Sequence, residues 1–375
     1  MSTARPGKAS DVISLVKWTG SKRLQAARIV AHFPAEIATY HEPFLGGGHV
    51  LGRLLDSPIR VGRCECSDSY TPLIALWNLV KDDPDRLIDG YSRLRKDATT
   101  GGERHYHEVR RSFNRNRCPV EFFFLLRTCR VGHVRINAIG DFTSAFDRSR
   151  AGTDPDLLRP VVQAWHRKLV AADVRFAVRD YREVVSGPGD LLDLDPPYRT
   201  STLYYGRMDY GEMFAWLGSQ RGSYLLSLNG HVGGMDHTLA VPDDLYDDHV
   251  QVEAGDNRLH RLTGRDRLQI TDSLYIRQSK GFVPQEGPLL AAEIEPGVVD
   301  GLRREGGRRK TRPHSEGMSV AIRSLLDAEP DIKPAEVKRR LAERGMAVSS
   351  TLFRVVRLDW RRSEGLPAER PSDRS

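Results

Sequence analysis

Short apolar runs alternate with longer stretches of helical spacing along the first hundred residues. "EIATYHEPFLGGGHVLGRLL", residues 36–55, reads as a strand, a glycine turn and a helix; "IRVGRCECSDSY", residues 59–70, reads as a second strand ending on Asp68. "TPLIALWNLVKDDPDRLIDGYSRL", residues 71–94, continues with apolar residues three and four apart, the repeat of a helix with one buried face. The rhythm breaks from about 100 to 170, where arginine-rich helical and irregular sequence predicts an insertion. It resumes with "VRFAVRDY", "DLLDLDPPY", "SYLLSLNG" and "DSLYIRQ". Strands alternating with helices predict an α/β fold on a Rossmann-like parallel sheet, in one discontinuous domain over about 10–285.

After residue 285 the pattern changes again. Residues 286–317 read as a basic, glycine-containing linker, and 318–362 as a small helical module. Met318, Ala321, Ile322, Leu325 and Leu326 follow one helix face, and Pro334 sits where a second helix starts well. Ser349 is placed to cap a third helix. Three short helices with a glycine turn resemble a helix-turn-helix unit. A packing or dimerisation module has the same pattern.

Charge sharpens this picture. The chain carries 57 Lys and Arg against 50 Asp and Glu, a net +7. Eight arginines but only Glu108 and Glu121 lie between Arg104 and Arg135, and "RREGGRRKTR", residues 303–312, holds six basic residues around one glutamate. One such run is usually a solvated face. Two in one chain point to a polyanion such as nucleic acid. Cys64, Cys66, Cys118 and Cys129 form no C-x-x-C pair, so reduced thiols are expected, with no zinc and no disulfide framework. No stretch reaches the roughly 18 apolar residues of a membrane span, and "MSTARPGKASDV" lacks a signal peptide's apolar core. A cytoplasmic protein is the expectation.

Two turns carry chemistry. In "EPFLGGGH", residues 42–49, glycines let the backbone turn sharply and approach a ligand at a helix start. Asp68 falls at the end of the next strand, where nucleotide-binding α/β folds place an acid against ribose hydroxyls. No G-x-x-x-x-G-K-[ST] is present, so the ligand expected is an adenosine compound without a triphosphate. The second turn, Asp195-Pro196-Pro197-Tyr198, follows the apolar run "LLDL". Two prolines remove two N–H donors, so the turn offers acceptors: the Asp195 carboxylate and backbone carbonyls. Fixed acceptors suit an exocyclic amine, whose lone pair is otherwise delocalised into its ring. Tyr198 adds a flat face for a base rotated out of a duplex.

"KWTGSK" (17–22), "EPFLGGG" (42–48), Asp68 and "DPPY" (195–198) together resemble, in order and spacing, the Dam-type or D12 class adenine-N6 DNA methyltransferases. The resemblance covers about residues 12–280. It implies S-adenosylmethionine as cofactor, with Trp18 and Lys22 lining its pocket, Phe44, Gly46 and Gly48 shaping the floor, and Asp68 holding the ribose. It implies that Asp195, Pro196, Pro197 and Tyr198 hold a flipped adenine, Asp195 also bordering the cofactor. The 100–170 insertion falls where the family places its DNA-recognition region, which implies DNA contacts from Arg127, Arg130, Arg135 and Asn137. "RINAIGDFTSAF" (135–146) matches the family's R-x-N-x-x-G-x-F continuation, while Val131–Gly132 stands where relatives commonly read Asn-Gly.

The implied reaction is direct in-line transfer of a methyl group to adenine N6 in double-stranded DNA, with no metal and no covalent enzyme intermediate. DPPY alone also fits amino-methyltransferases of cytosine N4 or RNA. A catalytically silent DNA-binding regulator on the same fold is the non-enzymatic alternative, against which every motif residue is intact. Whether a partner restriction nuclease accompanies such an enzyme is a property of its genetic neighbourhood, not of this chain.

Overall fold

The computed structural model describes residues 14–149, 152–197, 208–232, 235–256, 269–279, 282, 325–329 and 334–343. They divide into two units, residues 1–303 and 304–375. In the first, α1 (Ala26–Val30) leads into β1 (Glu36–Glu42), α2 (His49–Leu54), β2 (Arg60–Asp68) and α3 (Thr71–Asp82). Helices α4 (Pro84–Asn116), α5 (Pro119–Thr128) and α6 (Pro155–Ala171) then precede β3 (Val174–Val178), β4 (Leu191–Leu194), α7 (Tyr210–Gly218) and β5 (Ser223–Val232). Strands β6 (Met235–Asp236), β7 (Asp248–Asp256) and β8 (Gln269–Arg277) complete the sheet.

The strand order is β3-β2-β1-β4-β5-β8-β7, with β6 paired to β5. From β3 to β5 every pairing is parallel; β8 runs antiparallel to both β5 and β7. The chain builds outward through β2 and β3 on one side of β1 and through β4 and β5 on the other. The crevice between β1 and β4 is therefore the topological switch point, where open α/β sheets bind ligands beyond the carboxyl ends of their strands.

Alternation along the strands gives each sheet face its own core. Leu191 and Leu225 point into a cluster with Leu51, Trp77, Phe122 and Trp165 from the helices. Leu192, Leu194, Leu226 and Leu228 point the other way, against Met213 and Leu217 of α7.

The helical stretch between β2 and β3 starts earlier than its composition suggests. Asp83 ends α3 and caps α4, accepting from Arg86 N at 3.0 Å, with Pro84 at the first helical position. Helix α4 passes through residue 100 and breaks at Gly102, where φ is 53° and ψ −132°. In the second unit a helix runs from Pro334 to Glu343, opening on the proline as expected. Ser349 and the third helix expected there lie outside the described residues.

Candidate active site

The first wall is the turn between β1 and α2. Gly46 (φ 47°) and Gly48 (φ 62°) adopt left-handed backbone that side chains rarely tolerate. Space forbids them as well, since a Cβ on Gly46 would lie 2.8 Å from Trp18 Cδ1 and one on Gly48 2.7 Å from Trp77 Cζ2. Trp77 Nε1 donates to Gly46 O at 3.2 Å, and Leu45 N donates to Ser67 O at 3.0 Å, tying the turn to the end of β2. There Asp68 accepts from Tyr70 N (3.0 Å) and Gly46 N (3.3 Å). Burial pushes the Asp68 carboxyl up to about 6, against the pull of these backbone donors, so it is mostly ionised at neutral pH.

The second wall is the end of β4. Residues 191, 193 and 195 share one side of the strand, and Tyr40 pairs with Leu191 across the β1 ladder, which brings Tyr40, Glu42, Asp193 and Asp195 together. The Tyr40 hydroxyl donates to Glu42 Oε2 at 2.9 Å and lies 3.4 Å from Asp193 Oδ2. Burial, reinforced by Asp195, pushes Asp193 up to about 7; burial and Asp193 push Glu42 well above the carboxylate range. Burial thus favours the protonated forms of both carboxyls. Lys22 Nζ stands 3.2 Å from Asp195 Oδ1 and 2.6 Å from Asp272 Oδ2. Burial draws the Lys22 ammonium down, but the two carboxylates outweigh it and hold it above the ordinary lysine value. One expected backbone acceptor is engaged, because the Tyr210 hydroxyl donates to Pro197 O at 2.8 Å.

Between these walls lies a cavity of about 370 Å³, within the range of small-molecule sites. Trp18, Lys22, Phe44, Gly46, Gly48, Asp68, Asp195 and Pro197 all line it. Pro196 is not among the lining residues, and Tyr198 lies outside the described residues. Glu42, quoted within "EPFLGGG" but given no role there, also lines it, as do Asp193 and the segment Arg179–Arg182, which the sequence pattern did not single out. The same carboxyl-edge rule that picked out Asp68 finds residues 179–182, which directly follow β3; Tyr181 packs on Phe44 with ring centroids 5.5 Å apart. Among the described residues no group of three or more His, Cys, Asp or Glu is arranged to hold a metal ion.

Residues 18–220, more than half of the chain, match the model of the D12 class N6 adenine-specific DNA methyltransferases. The chain belongs to this family. It is 30% identical over 226 residues to the type II methyltransferase M.MjaIII of Methanocaldococcus jannaschii, covering 54% of this chain and 76% of that protein. It is 26% identical over 205 residues to M.CviBI of a Paramecium bursaria Chlorella virus (53% and 74% covered). It is 24% identical over 195 residues to M1.LlaDCHI of Lactococcus lactis (48% and 64% covered). As a D12 class enzyme the chain is an adenine-specific DNA methyltransferase, and no helix among its described residues is long and apolar enough to cross a membrane.

In this D12 methyltransferase the expected DNA-contacting residues separate into two kinds. Arg127 is only 3% exposed; its guanidinium donates to Ser14 O, to Leu15 O at 3.1 Å and to Thr153 Oγ1. It cannot reach a phosphate without abandoning these partners, so it is a buried brace and not a DNA contact. Asn137 is half-committed, since its Oδ1 accepts from Ile139 N (3.1 Å) and Asp141 N (2.8 Å) and shapes the turn. Arg130 and Arg135 are exposed. That turn, bridged by Cys129 to Phe146 and Ile136 to Phe142, is pinned by buried Phe142 and by Arg117, which donates to Gly140 O at 2.9 Å and to Asp141 Oδ1 at 2.6 Å.

Proposed function

We propose that the carboxyl-edge cavity binds S-adenosylmethionine and that an adenine rotated out of duplex DNA docks on the Asp195–Tyr198 turn to be methylated on N6. The observation that carries this reading is the convergence of Trp18–Lys22, Glu42–Gly48, Asp68, Asp195 and Pro197 on one cavity. Besides the burial-raised Glu42 and Asp193, the lining carries Asp68, Asp180, Asp195, Asp209 and Glu212 against Lys22, Arg179 and Arg182, an acidic excess that suits a cofactor bearing a sulfonium and an ammonium. When bound, S-adenosylmethionine supplies the electrophilic methyl group.

The protein's part is to position and to exclude water. Asp195 accepts from the adenine amine and draws its nitrogen towards a geometry with a usable lone pair. Its ion pair with Lys22 Nζ, 3.2 Å away, suits an orienting acceptor more than a base. Asp68 accepts from ribose hydroxyls while keeping its backbone donors. Trp18 and Phe44 wall the cavity, and Tyr198 is assigned the stacking face for the base. Holding reactants in near-attack geometry can supply on the order of 7–11 kcal/mol of the barrier.

The segment 100–170 is assigned to DNA recognition, extended back to Pro84 by the course of α4, with Arg130, Arg135 and the amide of Asn137 facing DNA. The tail from 318 is assigned as an auxiliary helix-turn-helix module beyond the 286–317 linker. Calorimetry with S-adenosylmethionine tests the cofactor assignment. Asp68→Ala is expected to weaken binding by about 1–3 kcal/mol through unpaired hydroxyls. Unchanged affinity removes Asp68 from the site, and a wild-type protein that binds no cofactor overturns the reading.

A further inference from the structure

Lys22, buried at the edge of the cavity, is held by two carboxylates of different origin. Asp195 ends β4. Asp272 comes from β8, beyond residues 18–220 where the chain matches its family. Because β8 is antiparallel to β5, its early residues lie at the carboxyl edge of the parallel strands, and Asp272 pairs there with Asn229 near the end of β5. Asp272 is itself fixed: Gln25 Nε2 donates to the same Oδ2 at 2.5 Å. Gln25 and Lys22 belong to one tight turn, closed by Gln25 N and Ala26 N donating to Lys22 O at 2.9 and 2.8 Å.

We propose that Asp272 is a positioning residue for methyl transfer, acting through Lys22 on the Asp195 carboxylate. The inference rests on the reading of Asp195 as the amine acceptor. The ammonium sits closer to Asp272 than to Asp195, 2.6 against 3.2 Å. Asp272 thus shares the Lys22 ammonium with Asp195 and holds it at the shorter distance. Asp195 is thereby oriented at the cavity wall, which its quarter-exposed side chain lines. Without Asp272 the ammonium closes on Asp195 and competes with the substrate amine for it. Stability alone is a poor reason for such an arrangement, since buried ion pairs often contribute less than apolar residues of similar volume.

Among the described residues, the charged groups facing Lys22 include Asp272 from β8, Asp195 from the end of β4, and Asp193 within β4, whose carboxyl Lys22 draws down. Removing the Asp272 charge leaves the ammonium with less compensation for its burial, so its proton is lost at lower pH.

The test measures single-turnover methylation of duplex DNA against pH for wild type, Asp272→Asn, Asp272→Glu and Asp195→Ala, with folding checked by thermal melting. Asp272→Asn is expected to slow the step about tenfold or more, the scale of one hydrogen bond to a charged group. Its alkaline limb is expected to move down by about one pH unit or more. Asp272→Glu, which keeps the charge, is expected to restore the limb. If asparagine is not accommodated, the smaller uncharged Asp272→Ser carries the same expectation. A folded, uncharged variant with wild-type rate and wild-type alkaline limb overturns the proposal. Wild-type turnover by Asp195→Ala would instead overturn the reading of Asp195 on which it rests.

Discussion

At the scale of single residues, neighbours decide what each titratable group does. His49 shows this at the start of α2. Ser14 Oγ donates to Val16 O (3.1 Å) and so can only accept from His49 Nε2, 2.9 Å away; Nε2 carries the proton, and the Ser21 hydroxyl, 3.2 Å from Nδ1, donates to it. The neutral ring clasps the 14–21 loop, which carries Trp18, against the glycine turn. Burial, with help from Arg23, lowers the imidazole from 6.5 to about 4. Between those values the unfolded chain binds a proton that the folded protein refuses. The stability due to this group is complete above about pH 6.5 and declines as pH falls towards 4, by up to about 3 kcal/mol before allowance for the partly exposed ring. Urea unfolding at pH 7 and pH 4.5 is expected to show a smaller acid loss for His49→Gln than for wild type. Equal losses would mean that the imidazole is not held neutral by the fold.

At the scale of elements, the arginines from 110 to 135 divide between building the fold and facing outward. Arg110 donates to Ser144 O at 3.1 Å and Arg117 braces the tip, while Arg111, Arg115, Arg130 and Arg135 are exposed. A salt series of DNA affinities separates the two kinds. Arg130→Ala and Arg135→Ala are each expected to flatten the log–log salt slope by about 0.9 without loss of stability. Arg127→Met is expected to lower stability by about 3–5 kcal/mol, the cost of breaking buried charged contacts, with the salt slope of its folded fraction unchanged. Deleting 304–375 is expected to flatten the slope and leave the methylated sequence as it was; an unaltered slope would make the tail a packing module. The misassignment of Arg127 has a physical origin. A basic cluster reads as a phosphate-binding face, but the adjoining "EFFFLL" run buries the last turn of α5 and takes Arg127 inside with it. Asp195, Asp68 and the glycine turn were legible because parallel strands deliver their last residues to the ligand edge. Asp272 was not, because an antiparallel strand delivers its beginning there, and pairing direction is settled only by the folded sheet.

At the scale of the molecule, a sheet whose order reverses between β1 and β4 gathers residues from 18 to 272 on one edge, and that edge is acidic although the chain as a whole is basic. The two charges suit the two proposed partners, a cationic cofactor in the cavity and a polyanionic duplex over the exposed arginines. In the proposed reaction Asp195 on this edge orients an adenine amine for methylation. The most direct test is mass spectrometry of nucleosides from duplex DNA incubated with the protein and S-adenosylmethionine, for wild type and Asp195→Ala. Asp195→Ala is expected to stay folded, since Lys22 retains Asp272, and to keep its DNA affinity. N6-methyldeoxyadenosine is expected from wild type, with a yield lower by about 10²–10³ or more from the variant, the usual cost of losing one positioned polar group. Wild-type yield from Asp195→Ala, or N4-methyldeoxycytidine as the product, would contradict the proposed reaction.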